Sequence, residues 1–198
     1  MSDFIYKVEK EFLSPLECGI FSAYANLNYR LNPHYHGHAG PMQFNEPGVG
    51  AVWDVKYRDI LGETFLHGSS HKMKNITNVP LKIVNSFYRV YGKEAMLTGH
   101  LDKPGLEYSA TVCIDYFSED ENYLWPIWLE ENGERKDILL EKGDALIYRG
   151  SKIAHGRPVF QGDWQTQLFL HYEEVEDHDA NEKENKLSFA GYADSKTL

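Results

Sequence analysis

Cysteine is nearly absent from this sequence: Cys18 and Cys113 are the only two, far apart and in no CxxC spacing. That excludes a disulfide framework and a cysteine-built zinc site, and it makes a reducing, cytoplasmic compartment the expected one. No run of 18 apolar residues occurs, so no segment reads as a membrane-spanning helix. The opening residues, MSDFIYKVEKEF, are charged throughout and lack the apolar centre of a secretory signal. Positive charge is also scarce, with 20 Lys and Arg against 30 Asp and Glu and a formal net charge of −10. Affinity for nucleic acid rests mainly on Lys and Arg neutralising phosphates, so a nucleic-acid partner is not expected. Apolar residues, by contrast, are plentiful: 42% of the 198 residues are hydrophobic and 14% are aromatic, with 13 tyrosines. A chain of this length buries roughly 70% of its unfolded surface, enough for a sizeable core in one domain.

Ser14-Pro15-Leu16-Glu17 reads as a helix start, with Ser14 as cap, Pro15 in the first turn and Glu17 closing a capping box. Ile20, Phe21, Tyr24 and Leu27 follow at helical spacing. Residues 29–50 are rich in Gly and Pro and read as irregular. A second helix is expected within residues 53–75. From residue 81 short strand-like runs alternate with turn signals, over 81–91, 107–116, 124–129, 137–141, 144–149, 152–159 and 164–172. Asn132-Gly133 is a hairpin signal. Many short strands at this spacing predict a jelly-roll sandwich or barrel. The expected layout is one domain over 1–198: a helical preface and lid loop (1–80), a β core (81–172) and a polar tail (173–198).

His100-Leu101-Asp102 carries chemistry. On extended backbone residues i and i+2 face the same side, so both can reach one metal ion. His155 follows on a later strand. Two His and one carboxylate on one face of an octahedral ion leave three positions free, the facial arrangement used for Fe(II) and oxygen chemistry. Alone, an HxD pair is a weak signal; its surroundings strengthen it.

The stretch Tyr88 to Tyr172 resembles the prolyl 4-hydroxylase-like branch of the Fe(II)/2-oxoglutarate dioxygenases, in its bacterial and phage form. The resemblance lies in Tyr91 nine residues before the first ligand, His100-Leu101-Asp102, the strand entry Gly143-Asp144-Ala145-Leu146, His155, Pro158-Val159 and Gly162. Arg89-Val90-Tyr91 and Gln167-Leu168-Phe169-Leu170-His171-Tyr172 share it. It covers about 85 of the 198 residues. It implies an all-β core with a helical N-terminal preface, a double-stranded β-helix of jelly-roll, cupin-like form. It further implies Fe(II) held by His100, Asp102 and His155, with 2-oxoglutarate as cosubstrate and dioxygen as partner. Oxidative decarboxylation of 2-oxoglutarate would then be coupled to hydroxylation of an unactivated C–H bond. The substrate class it implies is a prolyl residue of a peptide or protein, a small metabolite such as a free amino acid being the alternative.

Tyr91 matches a tyrosine that donates to the far carboxylate of 2-oxoglutarate, and Thr166 a small hydroxyl partner of that group. The basic residue of the family, two positions after the glycine matching Gly162, is Trp164 here and cannot pair with a carboxylate. Arg157, two residues after His155 and so on the same face of its strand, offers a planar fork suited to a carboxylate. We therefore expect Arg157 in that role. Trp125-Pro126-Ile127-Trp128 reads as core, or else Trp125 and Trp128 form a substrate wall; Arg89 reads as an ion-pair partner or a substrate contact. His34, His36 and His38 alternate along a Gly- and Pro-rich segment; they are a polar loop over the barrel mouth or, if extended, a rival zinc or nickel site. His171 and His178 have no partner signal and read as structural or solvated. The missing basic residue at Trp164 keeps a second class open, a non-catalytic jelly-roll module that binds a metal or ligand.

Overall fold

The computed structural model describes residues 4–31 and 44–175. The chain runs β1 (Tyr6–Glu9), α1 (Pro15–Leu31), β2 (Phe44–Glu46), β3 (Gly50–Tyr57), α2 (Ile60–Thr77), β4 (Leu81–Gly92), β5 (Leu97–His100), β6 (Tyr108–Phe117), β7 (Ile127–Glu131), β8 (Glu134–Ile138), β9 (Ala145–Tyr148), β10 (His155–Arg157) and β11 (Trp164–Glu174).

Seven strands form one antiparallel sheet in the order β1-β9-β6-β11-β4-β3-β2, and four form a second in the order β5-β10-β7-β8. From β4 onward the chain passes back and forth between the two sheets, with β5, β7, β8 and β10 in the smaller one. This is the double-stranded β-helix, or jelly roll, with α1 and α2 packed on the outer face of the larger sheet. Alternation along the strands sorts the side chains into two cores. Phe21 of α1 and Leu66 and Met73 of α2 bury against Tyr88, Val90, Leu168, Leu170 and Tyr172 on the helix side. Cys113, Leu146 and Tyr148 of the larger sheet meet Ile127, Leu129 and Ile138 of the smaller one between the sheets. Each fully buried side chain of this size contributes roughly 1.5–3 kcal/mol.

The capping box at α1 forms as the sequence predicts: the Ser14 amide donates to Glu17 Oε2 at 2.7 Å, and the Glu17 amide donates to Ser14 Oγ at 3.3 Å. Phe21 is buried and Tyr24 packs against the same core, while Ile20 and Leu27 remain exposed. The segment predicted as a second helix divides. Residues 50–57 form β3, and α2 starts only at Ile60, after Asp59 caps it by accepting from the Leu61 amide. It ends at Asn78 in the left-handed conformation (φ 55°), a common helix stop. The first 80 residues thus supply three strands besides two helices, and α1 extends to Leu31. The strand β5, which carries His100, was not among the predicted runs. His34, His36, His38 and His178 lie outside the described residues.

Candidate metal centre

His100 ends β5, His155 begins β10, and the two pair directly across the ladder. Their rings lie 4.4 Å apart, centroid to centroid. Asp102 follows β5 by two residues, and its amide donates to the Gly150 carbonyl at 2.8 Å. His100 Nε2 lies 3.7 Å from Asp102 Oδ1, and His155 Nε2 lies 3.6 Å from the same oxygen. Those separations are too long for hydrogen bonds. Three ligand atoms, one from each residue, fall within 4.8 Å of one another.

The backbone settles which nitrogens face the gap. His100 Nδ1 lies 2.9 Å from the Thr98 carbonyl, and His155 Nδ1 lies 3.1 Å from the Ile153 carbonyl. A carbonyl only accepts, so each Nδ1 carries a proton and each Nε2 is the nitrogen that faces the gap. Burial pushes the His155 imidazole below its ordinary value, against the opposing pull of Asp102, and keeps the ring neutral as a ligand must be. Two imidazole nitrogens and one carboxylate oxygen are a donor set that suits a borderline divalent ion such as Fe(II).

The carboxylate is held closely. Ser109 Oγ donates to Asp102 Oδ2 at 2.8 Å, leaving Oδ1 toward the two histidines. A methyl group on Gly150 would overlap that carboxylate, so only glycine permits the approach. Trp128 lies on the far side of the smaller sheet. Its ring covers Gly99 and Gly156, the residues next to His100 and His155, and a Cβ at either would come within 2.5 Å of it. Arg135 stacks over the outer face of that indole at 4.2 Å.

Deeper between the sheets sits Arg157, 2% exposed. Its guanidinium lies over the Trp125 ring at 4.8 Å, and Nη1 donates to the Trp125 carbonyl at 3.0 Å. Nε and Nη2 are buried without a hydrogen-bond partner. Burial pushes the guanidinium below its ordinary value, while Tyr91, Cys113, Tyr148 and Tyr123 around it oppose the shift. No carboxylate among the described residues pairs with it. A buried cation with two free donors is costly unless an anion meets it.

The structure brings together His100, Asp102, His155, Arg157 and Tyr91. It separates others. Thr166 and Trp164 line a cavity of about 200 Å³ beside α1, with Trp53 and Tyr29, on the helix side of β11. The positions of β11 that face between the sheets are Gln165 and Gln167: Gln165 Nε2 donates to Gln167 Oε1 at 2.9 Å, and Gln167 Nε2 to Thr111 Oγ1 at 2.8 Å. Trp125 is core and floor to Arg157, its indole donating to the Pro158 carbonyl at 2.8 Å. Trp128 backs the ligand strands rather than lining a cleft. Arg89 Nη2 pairs with Glu46 at 2.6 Å and Nη1 donates to the Tyr91 hydroxyl at 3.2 Å. The sequence reading missed Ser109, His171, Tyr148 and Gly150. Tyr148 stands edge-on to His155 at 4.7 Å, and burial pushes its phenol well up, helped by Asp102. From Asp102 an open groove of about 780 Å³ runs past Glu107, Arg149 and Glu174.

Neither a protein-family model nor a curated protein matches this sequence. Among solved structures the chain is similar to a prolyl-4-hydroxylase from Pseudomonas putida, with a TM-score of 0.66 and 12% identity over 87% of this chain and 94% of that one. It is similar also to the viral collagen prolyl hydroxylase of Paramecium Bursaria Chlorella virus-1, in its complex with 2-oxoglutarate (TM-score 0.60, 11% identity, 87% and 98% covered). A third neighbour is HygX from Streptomyces hygroscopicus, which holds nickel, 2-oxoglutarate and hygromycin B (TM-score 0.60, 11% identity, 86% and 83% covered). At these identities the likeness is one of fold, and the chain has the fold of these proteins.

Proposed function

We propose that this chain is an Fe(II)- and 2-oxoglutarate-dependent dioxygenase, in which His100, Asp102 and His155 hold the metal and Arg157 anchors the cosubstrate. The observation that carries the reading is Arg157. A fully buried guanidinium with two unpartnered donors, two residues beyond a ligand histidine, is a cradle for a carboxylate. Tyr91 stands beside it and adds a hydroxyl. Free and buried, Cys18 and Cys113 fit a cytoplasmic enzyme.

Iron and 2-oxoglutarate, when bound, supply the oxidising power that places an oxygen atom from dioxygen on an unactivated C–H bond. The chain's own residues bind, orient and exclude water. The two carbonyl contacts fix the histidine tautomers, Ser109 fixes the carboxylate, and the aromatic residues around Arg157 keep its site dry, which strengthens the ion pair it offers.

For the substrate we favour a prolyl residue of a peptide or protein. In support, Tyr57, Phe87 and Phe169 stack in a row along the inner face of the larger sheet, at 5.0 and 4.3 Å, and an aromatic face at the open end of such a row suits the C–H edges of a prolyl ring. Tyr57, at the edge of that row, is 61% exposed. The second reading is the same chemistry on a small molecule, since HygX, of the same fold, is seen with hygromycin B.

The test is anaerobic loading with Fe(II) followed by titration with 2-oxoglutarate, watched for a visible charge-transfer band. We expect a band in the parent protein and none in His155→Ala. Arg157→Ala removes at least two charge-assisted bonds of about 1.5 kcal/mol each or more, so 2-oxoglutarate should bind about 100-fold more weakly while the metal stays bound. Metal binding without any band in the parent protein overturns the dioxygenase reading in favour of a binding module.

A further inference from the structure

The two oxygens of Asp102 are treated differently. Oδ1 faces both histidines, whereas Oδ2 accepts the Ser109 hydroxyl proton at 2.8 Å. That hydroxyl has a single proton, and it is spent on the carboxylate. Ser109 Oγ therefore accepts at its other side, where His171 Nδ1 lies 3.0 Å away. The order of donation is thus fixed: His171 Nδ1–H to Ser109, Ser109 O–H to Asp102.

The chain is built on rigid elements. Ser109 lies on β6, paired with Tyr148 of β9 on one side and His171 of β11 on the other, in the middle of the larger sheet. His171 is 4% exposed, and its ring stacks on Phe87 at 5.6 Å and 19°, which sets the plane in which Nδ1 points. Burial holds the imidazole down to about 4, so the ring is neutral and keeps one donor and one acceptor. With Nδ1 protonated, Nε2 is a bare acceptor.

We propose that His171 and Ser109 are positioning residues for the metal centre: the ordered donor chain from His171 through Ser109 locks Asp102 Oδ2 and so aims Oδ1 at the ion. The proposal rests on the reading of His100, Asp102 and His155 as metal ligands. Hydrogen-bond partners of ligand side chains typically change metal affinity 10–100-fold when removed. Packing alone predicts something different, because His171→Phe would keep the stack on Phe87 and lose only the two ring nitrogens, the donor to Ser109 among them.

The experiment is titration of the apo protein with Co(II), followed by its visible absorption, which reads affinity and coordination geometry without turnover. We expect Ser109→Ala and His171→Phe to bind Co(II) about tenfold more weakly, with an altered band. His171→Asn, whose amide N–H lies near the place of Nδ1, should recover most of the affinity and the parent band. Equal affinity in His171→Phe and the parent overturns the donor chain, as does a His171→Asn as weak as His171→Phe. Thermal melts of the apo variants check folding. If His171→Phe does not fold, Ser109→Ala decides, since it removes one oxygen, and an unchanged affinity there overturns the proposal. A parent protein that binds no Co(II) defeats instead the metal reading beneath it, so the two failures are distinct.

Discussion

At the scale of single residues the centre depends on close approaches as much as on ligands. Gly150 touches nothing chemical itself, yet its missing side chain makes room for Asp102, and its carbonyl receives the Asp102 amide. We expect Gly150→Ala to push the carboxylate off its Ser109 partner and to weaken metal binding about tenfold or more, while the far sides of both sheets are unaffected. Calorimetric titration with Mn(II) checks this, and parent-like affinity would show that the carboxylate has room to spare. Of the proposed ligands, His100 and Asp102 were picked out as an i, i+2 pair, but that pair alone is a weak signal and the family resemblance around it supplied His155 and the role. Arg157 was picked out by the same two-residue spacing, counted from His155. Ser109 and His171 were not, since they lie 62 positions apart and meet only because β6 and β11 pair in register.

At the scale of elements the two ligand strands are short and depend on what backs them. His155 and His100 face inward while Gly156 and Gly99 turn their bare sides to Trp128. The Trp128 ring thus packs into the space that the two glycines leave on the outer face of β5 and β10. Gly99→Ala, whose nearest contacts are all in that indole, should cost about 1–3 kcal/mol by overpacking. The same substitution should cost distinctly less in a Trp128→Phe background, because the shorter ring vacates the space. Denaturant melts of the four proteins close the double-mutant cycle, and strict additivity would mean that the contact relaxes freely. Much of the β core was readable at this scale, since all seven runs predicted from residue 81 onward lie on or within two residues of a strand for most of their length. The exceptions have physical causes. β5 is four residues with a glycine and mostly exposed side chains, so it shows no alternation. Val52 and Val55 lie at helical spacing, but β3 is a strand because β4 pairs with it and Asp59 caps the helix only later. β11 is buried on both faces, so its pattern could not say which of Gln165 or Thr166 looks inward.

At the scale of the whole molecule, metal, protons and folding are linked. His155 and His171 both sit below their ordinary value because burial disfavours the charged ring, His171 at about 4. An unfolded histidine titrates near 6.5, so as pH falls below that value the unfolded chain binds more protons than the folded one. The stability these rings contribute is therefore full above about pH 6.5 and is lost as pH falls toward 4, at about 1.4 kcal/mol for each unit of separation. A divalent ion acts in the same direction, since it binds only neutral imidazole and ionised carboxylate. At 100 times its dissociation constant it should stabilise the fold by about 2.7 kcal/mol. For a chain of this size that is a rise of roughly 5–10 °C in Tm. We expect Mn(II) to produce that rise at pH 7.5, a much smaller one at pH 5.5, and none at either pH in His155→Ala. A chelator should return the parent protein to its apo Tm. A rise of equal size at both pH values, or one that survives His155→Ala, would mean that the ion stabilises the protein through its acidic surface rather than through this centre.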